Sequence, residues 1–235
     1  MRNHVKVHIL RVFVNEEKKF GNPVGIVLDE KQNLASRIRQ TIASKLGFSE
    51  TVFINDLEKG QVSIFNPIHE VKFAGHALVG TAYFINKFLN KKIKYLNCEA
   101  GQIQTWQVTG LTWIRASLTN TPSWQYSELK NTSSVDSISE SQMLSFKHTV
   151  VWAWKDKDKG IIRARTFAPD WGIPEDEANG SGSMQLAAKL GRNLEIHHGK
   201  GSVIYTKPDS LDLSSVGGRV KRDSPQNIEM LQFPT

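Results

Sequence analysis

The sequence predicts an α+β protein made of two similar lobes, on three observations. Segments of alternating apolar and polar residues, rich in β-branched side chains, recur along the 235-residue chain and predict strands. Two apolar segments with helical spacing each follow a glycine-containing turn. The stretches 64–85 and 166–190 share one pattern, a strand ending in Phe-x-Pro, an acidic turn, small residues with glycine, and an apolar helix. Their offset of about 102 to 105 residues is typical of a duplicated lobe.

The first half of the chain begins with strands. Alternation in VKVHILRVFV and GNPVGIVLD predicts two of them, with a polar turn between. Residues 34–46 place apolar side chains at helical spacing, and Gly47 predicts the left-handed end of that helix. SETVFIND and GQVSIFNP predict a strand pair, and residues 77–90 predict an apolar helix. Short strands are expected from Ile93 to residue 119.

The second half opens with the polar, serine-rich stretch 121–143, which predicts a connection between lobes or a long loop. Strands are predicted at HTVVWAWK, GIIRARTFAP and SVIYTK. A second helix, whose first residues are small, is predicted at GSGSMQLAAKLGRNL. The last twenty residues carry weak signals and no element is predicted there. We place the N-terminal lobe at residues 1–110 and a shortened C-terminal lobe at residues 111–235.

Composition argues against several classes of protein. The formal charge is +7, from 30 basic and 23 acidic residues, but the basic residues are spread out, with no arginine-rich block, which argues against a nucleic-acid partner. No apolar run approaches the ~20 residues of a membrane span, and the start lacks the features of a secretory signal. We expect a cytoplasmic protein without a membrane partner. Cys98 is the only cysteine, and His197 and His198 have no acidic residue at ligand spacing, so no metal site is predicted.

The repeated pattern gives the glycines a physical role. Helix N-termini present unpaired N–H groups and the positive end of the helix dipole, and glycine lets a ligand approach the backbone. Gly75 and Gly180 stand at the two predicted helix starts. If the lobes face each other, both starts converge on one cleft that could hold a carboxylate or stabilise an enolate-like charge. Glycine is also common before helices for purely structural reasons, and this is the alternative to a ligand site.

Two residues of the first lobe are candidates for proton chemistry. Glu50 opens a predicted strand directly after a helix. It is either a surface glutamate at a turn or a carboxylate at a cleft edge, whose pKa burial would raise enough for it to take and return a proton. His76 at the helix start either caps its own helix or, kept neutral by the dipole, donates a hydrogen bond to a substrate oxygen.

The second lobe offers a further pair of candidates. Asp176 precedes the second helix start, where a carboxylate either caps backbone amides or binds a substrate amine or hydroxyl. Ser181 is a plausible N-cap whose hydroxyl and N–H could equally face a substrate carboxylate. The sequence GSG at 180–182 lacks the lysine of a phosphate-binding loop, which argues against a nucleotide site.

These residues lie in four stretches that together resemble one family. They are GNPVGIVLD (21–29), GFSETVFI (47–54), FNPIHEVKFAGHALVGTA (65–82) and FAPDWGIPEDEANGSGS (167–183). The order and spacing of the four stretches resemble the PhzF-like isomerases of phenazine biosynthesis, which share the diaminopimelate-epimerase fold. The resemblance runs through most of the chain and is strongest in the first half.

The resemblance implies a fold, a reaction and a set of site residues. It implies two lobes, each a curved mixed sheet or barrel wrapped around a central helix, with the active site between them, and usually a homodimer. It also implies proton transfer on a small carboxylate-bearing substrate without a cofactor. The family's site residues correspond to catalytic Glu50, His76 and Asp176 and substrate-binding Gly75, Gly180 and Ser181.

The chain departs from the family pattern in the second lobe. Glu177, Asn179 and Gly182 replace proline, threonine and alanine of the pattern. The carboxylate of Glu177 beside Asp176 is expected to make the pocket less favourable to an anion. These departures motivate an alternative, a non-catalytic small-molecule-binding protein of the same fold.

Overall fold

The computed structural model describes residues 3–210 and 212–230 as a mixed α+β structure. Its helices are α1 (Ser36–Leu46), α2 (Gly75–Tyr83), α3 (Thr132–Asp136), α4 (Glu140–Met143) and α5 (Gly180–Leu190). Its strands are β1 (Asn3–Val14), β2 (Asn22–Leu28), β3 (Glu50–Asp56), β4 (Gln61–Phe65), β5 (Glu70–Val71), β6 (Tyr95–Cys98), β7 (Gly101–Val108), β8 (Leu111–Ser117), β9 (Gln125–Glu128), β10 (Thr149–Asp156), β11 (Ile161–Ala168), β12 (Ile173–Asp176), β13 (Leu194–His198), β14 (Ser202–Pro208), β15 (Leu213–Arg222) and β16 (Gln226–Met230).

The first lobe is a closed barrel around α2. Its eight strands follow the order β1, β2, β3, β4, β6, β7, β8 and β15, and the pairing of β15 with β1 closes the ring. Residues 75–82 of α2 are all buried. A helix surrounded by apolar strands on every side must itself be apolar all round, which explains its lack of a polar face. Outside the barrel, Ile42 and Ala43 of α1 pack against Phe53 and Phe65.

The second lobe arranges a mixed sheet around α5. Strands β9, β10, β11, β13, β14 and β15 are neighbours in that order. The small residues of α5 allow close packing: a side chain at Gly182 would meet Val150 of β10 and Trp124 just before β9. Strand β15 belongs to both lobes, since it pairs with β14 on one side and with β8 and β1 on the other.

The two lobes repeat the same local structure. The hairpin β3–β4 turns through Asp56, whose carboxylate accepts the Lys59 N–H, and the hairpin β10–β11 turns through Asp156, whose carboxylate accepts the Lys159 N–H. Each hairpin has a register shift at that aspartate. In each lobe the second hairpin strand pairs in parallel with the strand that follows the buried helix. The similarity of the lobes predicted from the sequence is therefore visible in their strand order.

Two local predictions are corrected by the structure. The stretch 121–143 is no simple loop: it contains β9, α3 and α4. Serine and asparagine favour loops, but they also cap helices: Asn131 caps α3, and Ser139 forms a capping box on α4. The helix predicted at 77–90 begins earlier, at Gly75, and continues beyond α2 as a π-helical turn over Phe84–Phe88.

No element is predicted for the last twenty residues, of which residues 216–230 are described and residues 231–235 lie outside the described part. The described ones contain the end of β15 and the whole of β16. Gly217 and Gly218 weaken the strand signal. Both are needed, because a side chain at Gly217 would overlap the Trp113 ring and one at Gly218 would overlap Phe13. The proposed division at residue 110 falls between the paired strands β7 and β8, and it stays a prediction. Within residues 3–210 and 212–230, no helix has the length and apolarity of a membrane span.

Candidate active site

The N-termini of the two buried helices meet between the lobes. Gly75 is the first residue of α2 and Gly180 the first of α5. A Cβ placed on Gly75 would lie 3.5 Å from the Gly180 backbone, and one on Gly180 would lie 3.4 Å from the backbone nitrogen of His76. These are ordinary van der Waals distances, so the two helix starts lie side by side. The first-turn N–H groups of both helices therefore point to a common region, with the positive ends of both dipoles.

Glu50 lies at this meeting point. The left-handed Gly47 ends α1, and the chain enters β3 at Glu50, which pairs with Val24 of β2. The side chain is 17% exposed, and its Oε2 lies 3.2 Å from Nε2 of His76. The two atoms are not aligned as a hydrogen bond, and both are buried without another hydrogen-bond partner. Buried polar atoms without partners cost free energy, and here two of them face each other across 3.2 Å, where a ligand could bond both.

The surroundings of Glu50 favour its protonated form. Burial removes the hydration of the carboxylate, and the negative charge of Asp176 from the other lobe adds to this effect. Together they raise the pKa of Glu50 from 4.5 to about 8. A carboxyl group with such a pKa can both hold and release a proton near neutral pH.

His76 is the second residue of α2, and its side chain is 6% exposed. Burial lowers its pKa to about 4, partly offset by a hydrogen bond to the Pro23 backbone, so the imidazole is neutral near pH 7. No side chain caps α2, which excludes the alternative that His76 caps its own helix. Its ring is instead directed to Glu50.

Asp176 is held in place from both lobes. Its carboxylate accepts hydrogen bonds from Asn22 Nδ2 at 2.7 Å, from Asn179 Nδ2 at 2.9 Å and from the Ala178 N–H at 3.2 Å. Burial raises its pKa, with a contribution from the charge of Glu177, although these hydrogen bonds act in the opposite direction. Asp176 therefore acts as a local cap and also stands close enough to Glu50 to influence its titration.

The N-cap of α5 is Asn179. The alternative that Ser181 is the N-cap is therefore wrong. The Asn179 side chain accepts the Gly182 N–H at 2.6 Å. This departure from the family pattern keeps the capping function, because asparagine is as good an N-cap as threonine. Ser181 lies in the first turn, and its hydroxyl accepts a hydrogen bond from Trp124 Nε1 at 3.0 Å.

Glu177, whose charge is expected to disfavour an anion, has a hydrogen-bond donor at each carboxylate oxygen. Oε1 accepts the Ser202 hydroxyl at 2.7 Å, and Oε2 accepts the Lys200 N–H at 2.9 Å. The Ser202 hydroxyl oxygen in turn accepts the Gly21 N–H from the first lobe. Glu177 thus ties the start of α5 to the turn before β14, and its effect on the site is through its charge.

Comparison with known proteins places this geometry in a family. The family profile described as phenazine biosynthesis-like protein, PhzC-PhzF, matches residues 10–157, more than half of the chain. The chain belongs to the PhzC-PhzF family. It is 24% identical over 230 residues to the trans-2,3-dihydro-3-hydroxyanthranilate isomerase of Pseudomonas aeruginosa, an alignment that spans 82% of each chain.

Solved structures share the fold of this PhzC-PhzF protein. A PhzF-family protein from Enterococcus faecalis superposes with a TM-score of 0.79 at 17% identity, covering 97% of this chain and all of that one. A hydroxyproline epimerase from Agrobacterium vitis gives a TM-score of 0.62 at 11% identity, covering 98% and 94%. The family resemblance and the epimerase-like two-lobed fold predicted from the sequence are confirmed. The family and its curated relatives make this chain an isomerase of the PhzF type.

The site of this PhzC-PhzF protein is largely buried, with the His76 side chain 6% exposed and the Glu50 side chain 17% exposed. The two described cavities, of about 450 and 310 Å³, lie elsewhere, one beside Asn55 and Cys98 and one beside His4 and Asp29. In the described part of the chain, no group of three or more His, Cys, Asp or Glu side chains is placed to hold a metal ion.

Three side chains that organise this PhzF-type site were not predicted. Asn22 bonds Asp176 from 154 residues away, a contact that no local pattern encodes. Trp124 and Tyr126 contact the first turn of α5, where the Tyr126 hydroxyl donates to the Gly182 carbonyl at 3.0 Å. Two aromatic residues in a serine-rich stretch are unusual for a solvated linker, and that was the available signal.

Proposed function

We propose that this protein is a cofactor-independent isomerase that moves a proton on a small carboxylate-bearing substrate, with Glu50 as the general acid–base. One observation carries the proposal. A buried carboxyl with a pKa of about 8 stands beside a neutral imidazole, at a point where two helix N-termini from different lobes converge. Few structural roles require such an arrangement, whereas proton transfer to and from carbon does.

The geometry supports separate roles in the reaction for Glu50 and for the groups around it. The Glu50 carboxylate takes a proton from a carbon of the substrate, and the resulting acid gives a proton to a different carbon, so that a double bond shifts and the number of protons on the substrate is unchanged. Between the two steps the Glu50 acid exchanges its proton with solvent, which brings solvent deuterium into the product. With a pKa of about 8, about one molecule in ten carries the basic form at pH 7. The first-turn N–H groups of both helices and neutral His76 stabilise the negative charge that develops on the substrate.

The substrate class rests on two lines of support. The converging helix starts favour an anionic group, and the backbone N–H groups of Gly75, Gly180 and Ser181 are proposed to bind it. The Pseudomonas aeruginosa relative is named for trans-2,3-dihydro-3-hydroxyanthranilate, which carries a ring carboxylate. We propose a substrate of this kind, held by the α2 and α5 starts with its reacting carbon at Glu50. The homodimer implied by the family resemblance is proposed with it, and light scattering tests it.

Deuterium incorporation tests the proposed reaction. The protein in D₂O is incubated with trans-2,3-dihydro-3-hydroxyanthranilate and with a panel of cyclic and amino-acid carboxylates, and mass spectrometry reads the mass increase of each compound. We expect incorporation into at least one carboxylate, undiminished by a metal chelator and without added cofactor. Loss of incorporation with the chelator would contradict the absence of a cofactor.

A non-catalytic binding protein is the alternative motivated by Glu177 and Asn179. In that case the same carboxylates would raise the melting temperature of the protein without any deuterium incorporation. Since Asn179 still caps α5 and the oxygens of Glu177 are occupied, both departures preserve the local structure, and we favour the isomerase.

A further inference from the structure

The Ser181 hydroxyl has a fixed hydrogen-bonding role that Trp124 imposes. Trp124 Nε1 lies 3.0 Å from Ser181 Oγ in a buried contact. An indole N–H only donates, so the serine oxygen must accept on that side. The hydroxyl proton of Ser181 then has to be donated elsewhere, and no other residue of the described chain accepts it.

The Ser181 donor stands where the lobes meet. Ser181 belongs to the first turn of α5, and a Cβ on Gly75 of the opposite helix would lie 3.6 Å from its backbone nitrogen. The residue is 9% exposed, so its free hydroxyl proton is not in bulk water. A buried donor without an acceptor, beside two helix N-termini, matches one oxygen of a carboxylate.

Trp124 itself is held rigidly. On one side it packs on the first turn of α5, where a Cβ on Gly182 would lie 3.4 Å from Trp124 Cγ. On the other side the half-exposed Trp171 packs edge-on against it, with ring centroids 5.0 Å apart. Trp171 stacks on His148, whose ring nitrogen lies 2.8 Å from Asp170. The indole is therefore fixed on both sides, and its N–H direction is fixed with it.

We propose that Trp124 is a positioning residue of the active site: its indole N–H turns the Ser181 hydroxyl so that the serine donates to a carboxylate oxygen of the ligand. Trp124 acts only through Ser181 and does not touch the ligand. This inference rests on the proposed function, because it assumes that a carboxylate binds between the helix starts.

A double-mutant cycle tests the coupling. The probes are 3-hydroxyanthranilate, an aromatic compound related to the substrate named for the curated relative, and 3-hydroxyanthranilamide, in which an amide replaces the carboxylate. Calorimetry gives the dissociation constants for the parent, Trp124→Phe, Ser181→Ala and the double variant. We expect Trp124→Phe to weaken carboxylate binding about tenfold in the Ser181 background, as for the loss of one oriented charge-assisted hydrogen bond. In the Ser181→Ala background the same change should have less than about a twofold effect.

Two further variants separate positioning from packing. Replacement of Trp124 by β-(3-benzothienyl)alanine keeps the bicyclic shape and removes the N–H, so it should reproduce the Trp124→Phe effect even if the smaller phenylalanine perturbs the fold. Trp154→Phe is the matched control, because Trp154 lies in the same lobe and its ring contacts Trp152 and Arg192. It should leave the binding of both probes unchanged.

Each outcome of the cycle decides the proposal. Equal weakening by Trp124→Phe in both Ser181 backgrounds, or unchanged carboxylate binding in the benzothienyl variant, would overturn the role of Trp124 and leave the proposed function standing. If the parent binds neither probe and no carboxylate of the exchange panel, the proposed function fails and this inference fails with it.

Discussion

The negative charge of ionised Glu50 is expected to lower the free energy of unfolding, and comparison with the Glu50→Gln variant measures this effect. The pKa of the Glu50 carboxyl is 4.5 ordinarily and about 8 in the folded chain, because of burial and the nearby charge of Asp176. Between these pH values the unfolded chain releases a proton that the folded chain keeps. The free energy of unfolding therefore falls as pH rises through this interval.

The magnitude follows from the two pKa values. At ~1.4 kcal/mol for each tenfold change in proton affinity, the interval from 4.5 to about 8 corresponds to roughly 5 kcal/mol. Glutamine keeps the shape of the protonated carboxyl and does not titrate. The stability of Glu50→Gln relative to the parent is therefore expected to increase steadily between about pH 5 and pH 8 and to become constant above that range.

Urea denaturation followed by tryptophan fluorescence measures both proteins across this pH range. Glu128→Gln is the matched control, because Glu128 is exposed on β9. Its stability should differ from that of the parent by less than about 0.5 kcal/mol at every pH. A difference between Glu50→Gln and the parent that does not change with pH would refute the buried, proton-holding carboxyl.

Three further substitutions test separate parts of the account. His76→Ala should reduce substrate turnover while the native circular dichroism spectrum is retained, and turnover equal to the parent would remove His76 from the reaction. Gly80→Ala should lower the free energy of unfolding by about 1–3 kcal/mol, because the new methyl would lie 2.9 Å from Val12 inside the barrel; a neutral result in urea denaturation would contradict that packing. Glu177→Ala should lower the free energy of unfolding by about 1–3 kcal/mol, since the Ser202 hydroxyl and a backbone N–H lose their acceptor. If that variant instead binds carboxylates more tightly without a loss of stability, Glu177 serves mainly to repel anions.

The elements with strong local signals were predictable from the sequence. Alternating strands such as β1 and β3, and helices that end at a left-handed glycine such as Gly47, follow from side-chain pattern and backbone freedom alone. The convergence of Gly75 and Gly180 was also predictable, because an internal repeat places equivalent helices in equivalent lobes.

The remaining features depend on contacts between distant residues. The barrel closes through β1 and β15, and Asn22 reaches Asp176 across the lobes, neither of which leaves a local pattern. The caps Asn131 and Ser139 were read as loop residues, since the side chains that begin a helix are also those that favour turns. The hydrogen bond from Trp124 to Ser181 was not predicted, because the serine-rich composition of the stretch 121–143 indicates a loop. Part of that stretch is instead a packed strand.

The central claim is that Glu50 carries a proton to and from substrate carbon. The most direct test is the rate of solvent-deuterium incorporation into a substrate of the parent protein, measured by mass spectrometry for the parent, Glu50→Gln and the control Glu128→Gln. The account predicts that Glu50→Gln abolishes incorporation while keeping the native circular dichroism spectrum, and that the control exchanges at the parent rate. Incorporation by Glu50→Gln at the parent rate would show that another group moves the proton.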